Sequence, residues 1–249
     1  MSASCGRQFL RKLWRGLLVL ALRGHPEIAL DALRKPIWDE QYSFAAIPEY
    51  PQHNFEDITW MLASNPTNKA LLIMELDEAA FLFRLVRSIP SAQIMEIGRG
   101  RGGSTFLFAV AGDSGSTVTS VDIEPRNEDL LRAALEKSGL AHKVHLLTGN
   151  SHEAPAREDH YELVFIDGDH SREAVRRDYE HWKRAVRPGG HLTLHNAAVG
   201  RPLAQAAGGA IWVADKVAAE DKDYYRRLPD VGSLAVFSRT TKPWPRVSD

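Results

Sequence analysis

The chain has 249 residues, 44% of them hydrophobic, a formal net charge of -1 and a single cysteine, Cys5. That apolar content suits one large domain with an extension and sets aside a disordered chain or a purely structural repeat. The near-neutral charge gives no global reason to expect a nucleic-acid partner; a lone cysteine excludes an internal disulfide or a cysteine-based zinc site, so a reducing, cytoplasmic setting is expected.

The first 25 residues carry Arg7, Arg11, Lys12, Arg15 and Arg23 and no acid, while Leu10, Leu13, Trp14, Leu17, Leu18 and Ala21 recur at helical spacing. A basic amphipathic helix is expected there. Its apolar run, Gly16 to Leu22, is too short to cross a bilayer. Arg23 and His25 follow at once with no small-residue cleavage site, which argues against a signal peptide. Two roles stay open: docking on its own domain or on a second subunit of a homo-oligomer, or peripheral contact with an anionic membrane surface. Residues 36–68 combine prolines at 36, 48, 51 and 66 with Trp38, Tyr42, Phe44, Tyr50, Phe55 and Trp60, an irregular and partly buried segment. From Leu71 to Ile89 the apolar spacing predicts a helix stopped by Pro90.

The stretch Gln93 to Phe106 reads as a buried strand (Ile94, Met95, Ile97), a glycine turn (Gly98, Gly100, Gly102) and a helix opened by Ser104 and Thr105. Glycines let the backbone take positive φ and let a ligand approach the main chain at a helix N-terminus. Gly98, Gly100 and Gly103 also satisfy the dinucleotide fingerprint. Glu96 separates the two readings, because a carboxylate just before the turn gains nothing from a pyrophosphate and gains from a cationic ligand. Here the residues resemble motif I of the class I S-adenosylmethionine-dependent methyltransferases, and the resemblance implies that Glu96 helps hold the amino-acid end of that cofactor.

Beyond this point strands and helices alternate with short connections, which predicts an α/β, doubly wound, Rossmann-like and mostly parallel sheet. Thr117 to Ile123 is the second strand, and its Asp122 lies 24 residues beyond Gly98, near the ~20 expected of an acid that binds ribose hydroxyls. A helix over Asn127 to Leu140 precedes a third strand, Val144 to Leu147, which runs into Gly149, Asn150 and Ser151 with their donors and acceptors at the carboxyl edge. Leu163 to Ile166 is a central strand ending in Asp167-Gly168-Asp169-His170, acids and an imidazole that are costly to bury without a ligand. Ser171 caps the next helix, with Val175, Tyr179, Trp182 and Val186 as its buried stripe. Arg187-Pro188-Gly189-Gly190 then turns into a fifth strand ending His195-Asn196; a helix around Ile211 to Val217 and two strands, Tyr224 to Leu228 and Ser233 to Ser238, close the fold before a tail expected to be loose.

Phe-Ile-Asp-Gly-Asp-His, a helix, then Arg-Pro-Gly-Gly and a strand ending His-Asn look like the small-molecule and sugar O-methyltransferase branch of the same family, over roughly Leu76 to Arg239. The resemblance implies a seven-stranded sheet with a C-terminal antiparallel pair, an N-terminal extension over 1–70 whose proline-rich part is either a substrate lid or packing, a methyltransferase domain over 71–240 and a tail over 241–249. It implies S-adenosylmethionine as donor, held by Glu96, Gly98, Gly100, Gly102, Ser104, Asp122, Asn150, Ser151 and Asp167, with the adenine near Asn150 and Ser151. It further implies that the acceptor is a hydroxyl of a small molecule, glycan or natural product, with His170 as general base beside Asp167. By position, Asp167, His195 and Asn196 would hold Mg²⁺ or another divalent cation, although His195 stands where a carboxylate is common and magnesium prefers oxygen ligands. Two other classes stay open: an NAD(P)-dependent oxidoreductase, and a module that binds S-adenosylmethionine without turnover.

Overall fold

The computed structural model describes residue 44 and residues 47–62, 71–198 and 208–245. The basic helix expected in the first 25 residues and the aromatics before Phe44 lie outside these. Among the described residues, helices α1 (Leu76–Arg87), α2 (Gly103–Ala111), α3 (Glu128–Lys137), α4 (Arg172–Trp182) and α5 (Gly208–Glu220) interleave with strands β1 (Gln93–Ile97), β2 (Thr117–Asp122), β3 (Val144–Thr148), β4 (Tyr161–Ile166) and β5 (Val186–Leu194). The strands β6 (Tyr225–Arg227) and β7 (Ala235–Arg239) follow. They form one seven-stranded sheet in the order β3-β2-β1-β4-β5-β7-β6. The first five are parallel and β7 runs antiparallel to both its neighbours. The predicted fold class is the observed one.

Side chains on a strand alternate between faces, and this alternation builds the two layers. Ile94 of β1 and Leu163 and Phe165 of β4 pack with α1, α2 and α3 through Leu82, Phe106, Phe108 and Leu135. Met95 and Ile97, with Val164 and Ile166, face the other way and pack with α4 and α5 through Tyr179, Trp182, Val213 and Val217. Both faces are covered, so the central strands read as continuous apolar runs. The chain winds from β1 out to β3 and returns to β4 on the opposite side of β1, and ligands bind at such a reversal, beyond the carboxyl ends of the strands.

Several boundaries differ from the sequence expectation. The first helix begins at Leu76 rather than Leu71, because Glu75 and Glu78 form a capping box there. Arg187 to Gly190 is not a turn before a strand. It lies within β5 as an irregularity, where Val186 pairs with Tyr161 and His191 with Leu163, and the Arg187 guanidinium is fixed on Glu162. Val186 therefore belongs to β5, not to the stripe of α4. Nor is the tail loose as far as Pro245: Trp244 stacks on Tyr224 with ring centroids 3.9 Å apart, and Arg184 donates to the Pro245 carbonyl at 2.7 Å.

Candidate active site

The glycine turn is shaped by its neighbours. Gly98 has φ +88°, and a Cβ there would lie 2.2 Å from the Asp167 carbonyl oxygen, so only glycine lets the ends of β1 and β4 approach this closely. The backbone N–H groups of Arg99 and Gly100 donate to Asp122 Oδ2 at 2.8 and 2.7 Å, and that of Glu124 donates to Oδ1 at 2.7 Å. Asp122 thus clamps the turn from the end of β2. A carboxylate offers about four lone-pair sites, which leaves one for a ligand hydroxyl. Gly102, by contrast, caps α2 against Leu131 and lines no cleft.

Glu96 is placed differently from the expectation. It is fully buried behind the turn and lines neither cleft. Its carboxylate accepts from the hydroxyls of Ser104, Thr105 and Ser120. Burial pushes its pKa up, against the pull of those hydroxyls and of Arg99. Glu96 joins the start of α2 to β2; Ser104, although it lines the smaller cleft, spends its hydroxyl on Glu96.

Two clefts open at the carboxyl edge. The larger, about 550 Å³, is lined by Asp122, Ile123, Asn150, Ser151 and Asp178 among others. The smaller, about 220 Å³, is lined by Leu71 to Met74, Arg101, Ser104, His170, His195 and Asn196. Gly98, Gly100 and Asp167 line both, so the clefts meet where β1 and β4 end. In the larger cleft Asn150 Oδ1 accepts from the His152 N–H at 3.1 Å, and Ser151 Oγ donates to Asp178 Oδ1 at 2.5 Å. Asp178, on α4, also lies 3.0 Å from His152 Nε2, and burial raises its pKa against the pull of these partners. Its place beside Ser151 comes from the packing of α4 and carries no local signal in the sequence.

In the smaller cleft Asp167 stands between two imidazoles. His170 Nε2 lies 3.6 Å from Asp167 Oδ1, with about a third of the side chain open to solvent. His195 is 6% exposed, with Nδ1 2.8 Å from Asp167 Oδ1 and Nε2 3.3 Å from Glu78 Oε2. Burial opposes a charge on His195, but the two carboxylates outweigh it and hold the pKa at about 10. Glu78 is driven upward by burial and more strongly downward by His195 and the N–H groups of Ser233 and Glu75, to about 2. Glu78 escaped the sequence reading because nothing local distinguishes it from its neighbours Glu75 and Asp77. Asp169 turns away to accept from Ser171.

These contacts do not fit a divalent cation. Both ring nitrogens of His195 are directed at carboxylates, and Asn196 Oδ1 accepts from Ser233 Oγ at 3.2 Å. Among the described residues, no three His, Cys, Asp or Glu side chains converge to hold a metal. In the structure the residues of the metal set implied by resemblance form a hydrogen-bonded group in which His195 joins Glu78 and Asp167, with Asn196 beside it.

Residues 95–197 match a family model described as a methyltransferase domain. The chain is 27% identical over 195 residues to caffeoyl-CoA O-methyltransferase 1 of Zea mays, covering 72% of each, and 30% identical over 146 residues to caffeoyl-CoA O-methyltransferase 2 of Petunia hybrida, covering 56% of this chain and 57% of the relative. In fold it is similar to an O-methyltransferase from Bacillus cereus solved in complex with SAH, at a TM-score of 0.52 and 23% identity over 67% of this chain and 82% of that one. The strand order, the glycine turn clamped by Asp122 and these relatives agree on one conclusion: residues 95–197 form a methyltransferase domain, and the chain resembles the class I S-adenosylmethionine-dependent O-methyltransferases.

Proposed function

We propose that the chain moves the methyl group of S-adenosylmethionine to a hydroxyl of a small molecule, glycan or natural product seated in the smaller cleft, with His170 as general base. The observation that carries this reading is the meeting of the two clefts at Gly98, Gly100 and Asp167, with His170 lining the acceptor side. The donor lies in the larger cleft, with Asp122, Asn150 and Ser151 around its nucleoside and Asp167 near its sulfonium. The acceptor oxygen attacks the methyl carbon, the new C–O bond forms as the S–C bond breaks, and the sulfur leaves as the neutral thioether. His170 takes the hydroxyl proton; its partial exposure allows that proton to pass to water. The sulfonium is already activated, so alignment of the two clefts supplies much of the remaining acceleration.

Leu71, Leu72, Ile73 and Met74 wall the acceptor cleft, which supports an acceptor with an apolar body. The basic first 25 residues support an anionic or lipid-linked one and peripheral contact with an anionic membrane. Among the described residues no helix is long and apolar enough to cross a membrane. Divalent-cation assistance finds no support in the donor set and carries no step here.

The test is release of S-adenosylhomocysteine from S-adenosylmethionine across a panel of phenols, catechols and sugars. With an acceptor in hand, His170→Gln should lower kcat by roughly 10²–10⁴ while calorimetric binding of S-adenosylmethionine stays as in the parent. Undiminished kcat in that variant would remove His170 from the reaction.

A further inference from the structure

We propose that His195, held between Asp167 and Glu78, stands in for a divalent cation, so that methyl transfer by this chain is metal-independent and Glu78 is a positioning residue for it. The proposal rests on the O-methyltransfer reading above and goes beyond it in naming what replaces the metal. Position 195 follows the last residue of β5 directly, and its ring lies at the carboxyl edge beside the end of β4. A second carboxylate there would stand between the half-buried Asp167 and the buried Glu78, an arrangement of acids that calls for a cation or a shared proton. Histidine reverses that requirement. Its two ring nitrogens lie 2.8 Å from Asp167 Oδ1 and 3.3 Å from Glu78 Oε2, so one ring that donates from both nitrogens satisfies both acids. Glu78 is committed to this arrangement: its side chain is 1% exposed, it accepts from the Ser233 N–H at 2.5 Å and from the Glu75 N–H at 2.9 Å, and His195 is the imidazole that faces it.

The arrangement has a consequence for the acceptor. A metal ion at such a site orients two acceptor oxygens and lowers the pKa of one of them. Here both donors of His195 are spent on carboxylates and none reaches the acceptor. What His195 supplies is a fixed, charge-compensated Asp167, 3.6 Å from His170 Nε2. Deprotonation falls to His170 alone, and a single hydroxyl is sufficient, with no vicinal partner oxygen required.

The experiment is calorimetric titration of Mn²⁺ into the full chain saturated with S-adenosylmethionine, beside the same titration of His195→Asp. The parent should show no Mn²⁺ binding up to millimolar concentration. His195→Asp, which sets a second carboxylate beside Asp167 and Asn196, should gain it, by at least tenfold in affinity. One-to-one Mn²⁺ binding by the parent at micromolar concentration would overturn the proposal. Should His195→Asp fail to fold, the parent decides on two further readouts: a ¹⁵N-histidine spectrum at pH 7 in which His195 carries protons on both ring nitrogens, and turnover unchanged by EDTA. A singly protonated ring, or turnover abolished by EDTA and restored by Mn²⁺, would overturn it. Absence of S-adenosylmethionine binding in the first step would instead refute the functional reading, so the two failures are separable.

Discussion

Gly98 and Gly100 are separated only by Arg99 in the same turn, yet they are required for different reasons. At Gly98 the obstacle to a side chain is protein: the Asp167 carbonyl lies 2.2 Å from where a Cβ would stand, and φ is +88°. Gly98→Ala would have to part β1 from β4, at a cost of roughly 2–5 kcal/mol from overpacking and left-handed strain together. Gly100 has φ +53° and nothing within 4 Å, so Gly100→Ala should cost only the left-handed term, about 1–2 kcal/mol. Because Gly100 lines both clefts, its loss should be read in the ligand: urea melts should separate the two variants in stability, while calorimetry should find cofactor binding weakened in Gly100→Ala although it folds. Equal destabilisation of the two would mean that the close approach of β1 and β4 is not what demands glycine at 98.

At the scale of elements, the contact of α1 with the strand ends is the one with chemical consequence. Glu78 sits in the first turn of α1, Asp167 follows β4 and His195 follows β5, so one chain of polar contacts, buried except at Asp167, ties a helix to two strands. Its contribution to stability depends on pH from both sides. Glu78 is held at about 2, below its ordinary 4.5, so its share is full above 4.5 and is lost as pH falls toward 2. His195 is held at about 10, above its ordinary 6.5, so its share is full below 6.5 and is lost as pH rises through 10. The contact is strongest between pH 4.5 and 6.5. Melting temperatures followed from pH 6 to 10 should fall more steeply for the parent than for His195→Gln, which has nothing to titrate there; parallel curves would show that the contact contributes nothing. The same elements mark what the sequence could disclose. Strand ends and the glycine turn were legible because continuous apolar runs and their punctuation are local, and Asp122 and Asp167 follow from them. Glu78 and His195 are 117 residues apart and Ser151 and Asp178 27 apart, and these pairs meet only through packing. For Glu96 the position before the turn was legible, but the direction of its carboxylate, toward Ser104, Thr105 and Ser120, was not.

For the whole molecule, the doubly wound sheet places the residues of both clefts at one edge, and the reversal between β1 and β4 sets the two clefts side by side. A ligand in the larger cleft touches the ends of β1, β2 and β4 and the loop after β3 together, through Ile97, Asp122, Asp167 and Asn150, so its binding free energy is delivered to the global fold rather than to one loop. Asp122 is the switch for that linkage, since it clamps the glycine turn through Arg99 and Gly100 and keeps one acceptor site for the ligand. A ligand that binds only the folded chain adds about 2.7 kcal/mol at a hundred times its Kd. For a chain of this size that is a rise in Tm of about 5–10 °C. S-adenosylmethionine and S-adenosylhomocysteine should therefore both raise Tm by that amount in a thermal-shift titration, NADH should leave it unmoved, and Asp122→Ala should remove most of the shift. A shift with NADH and none with S-adenosylmethionine would contradict the donor assignment, and a full shift in Asp122→Ala would mean that the turn holds the cofactor without its clamp.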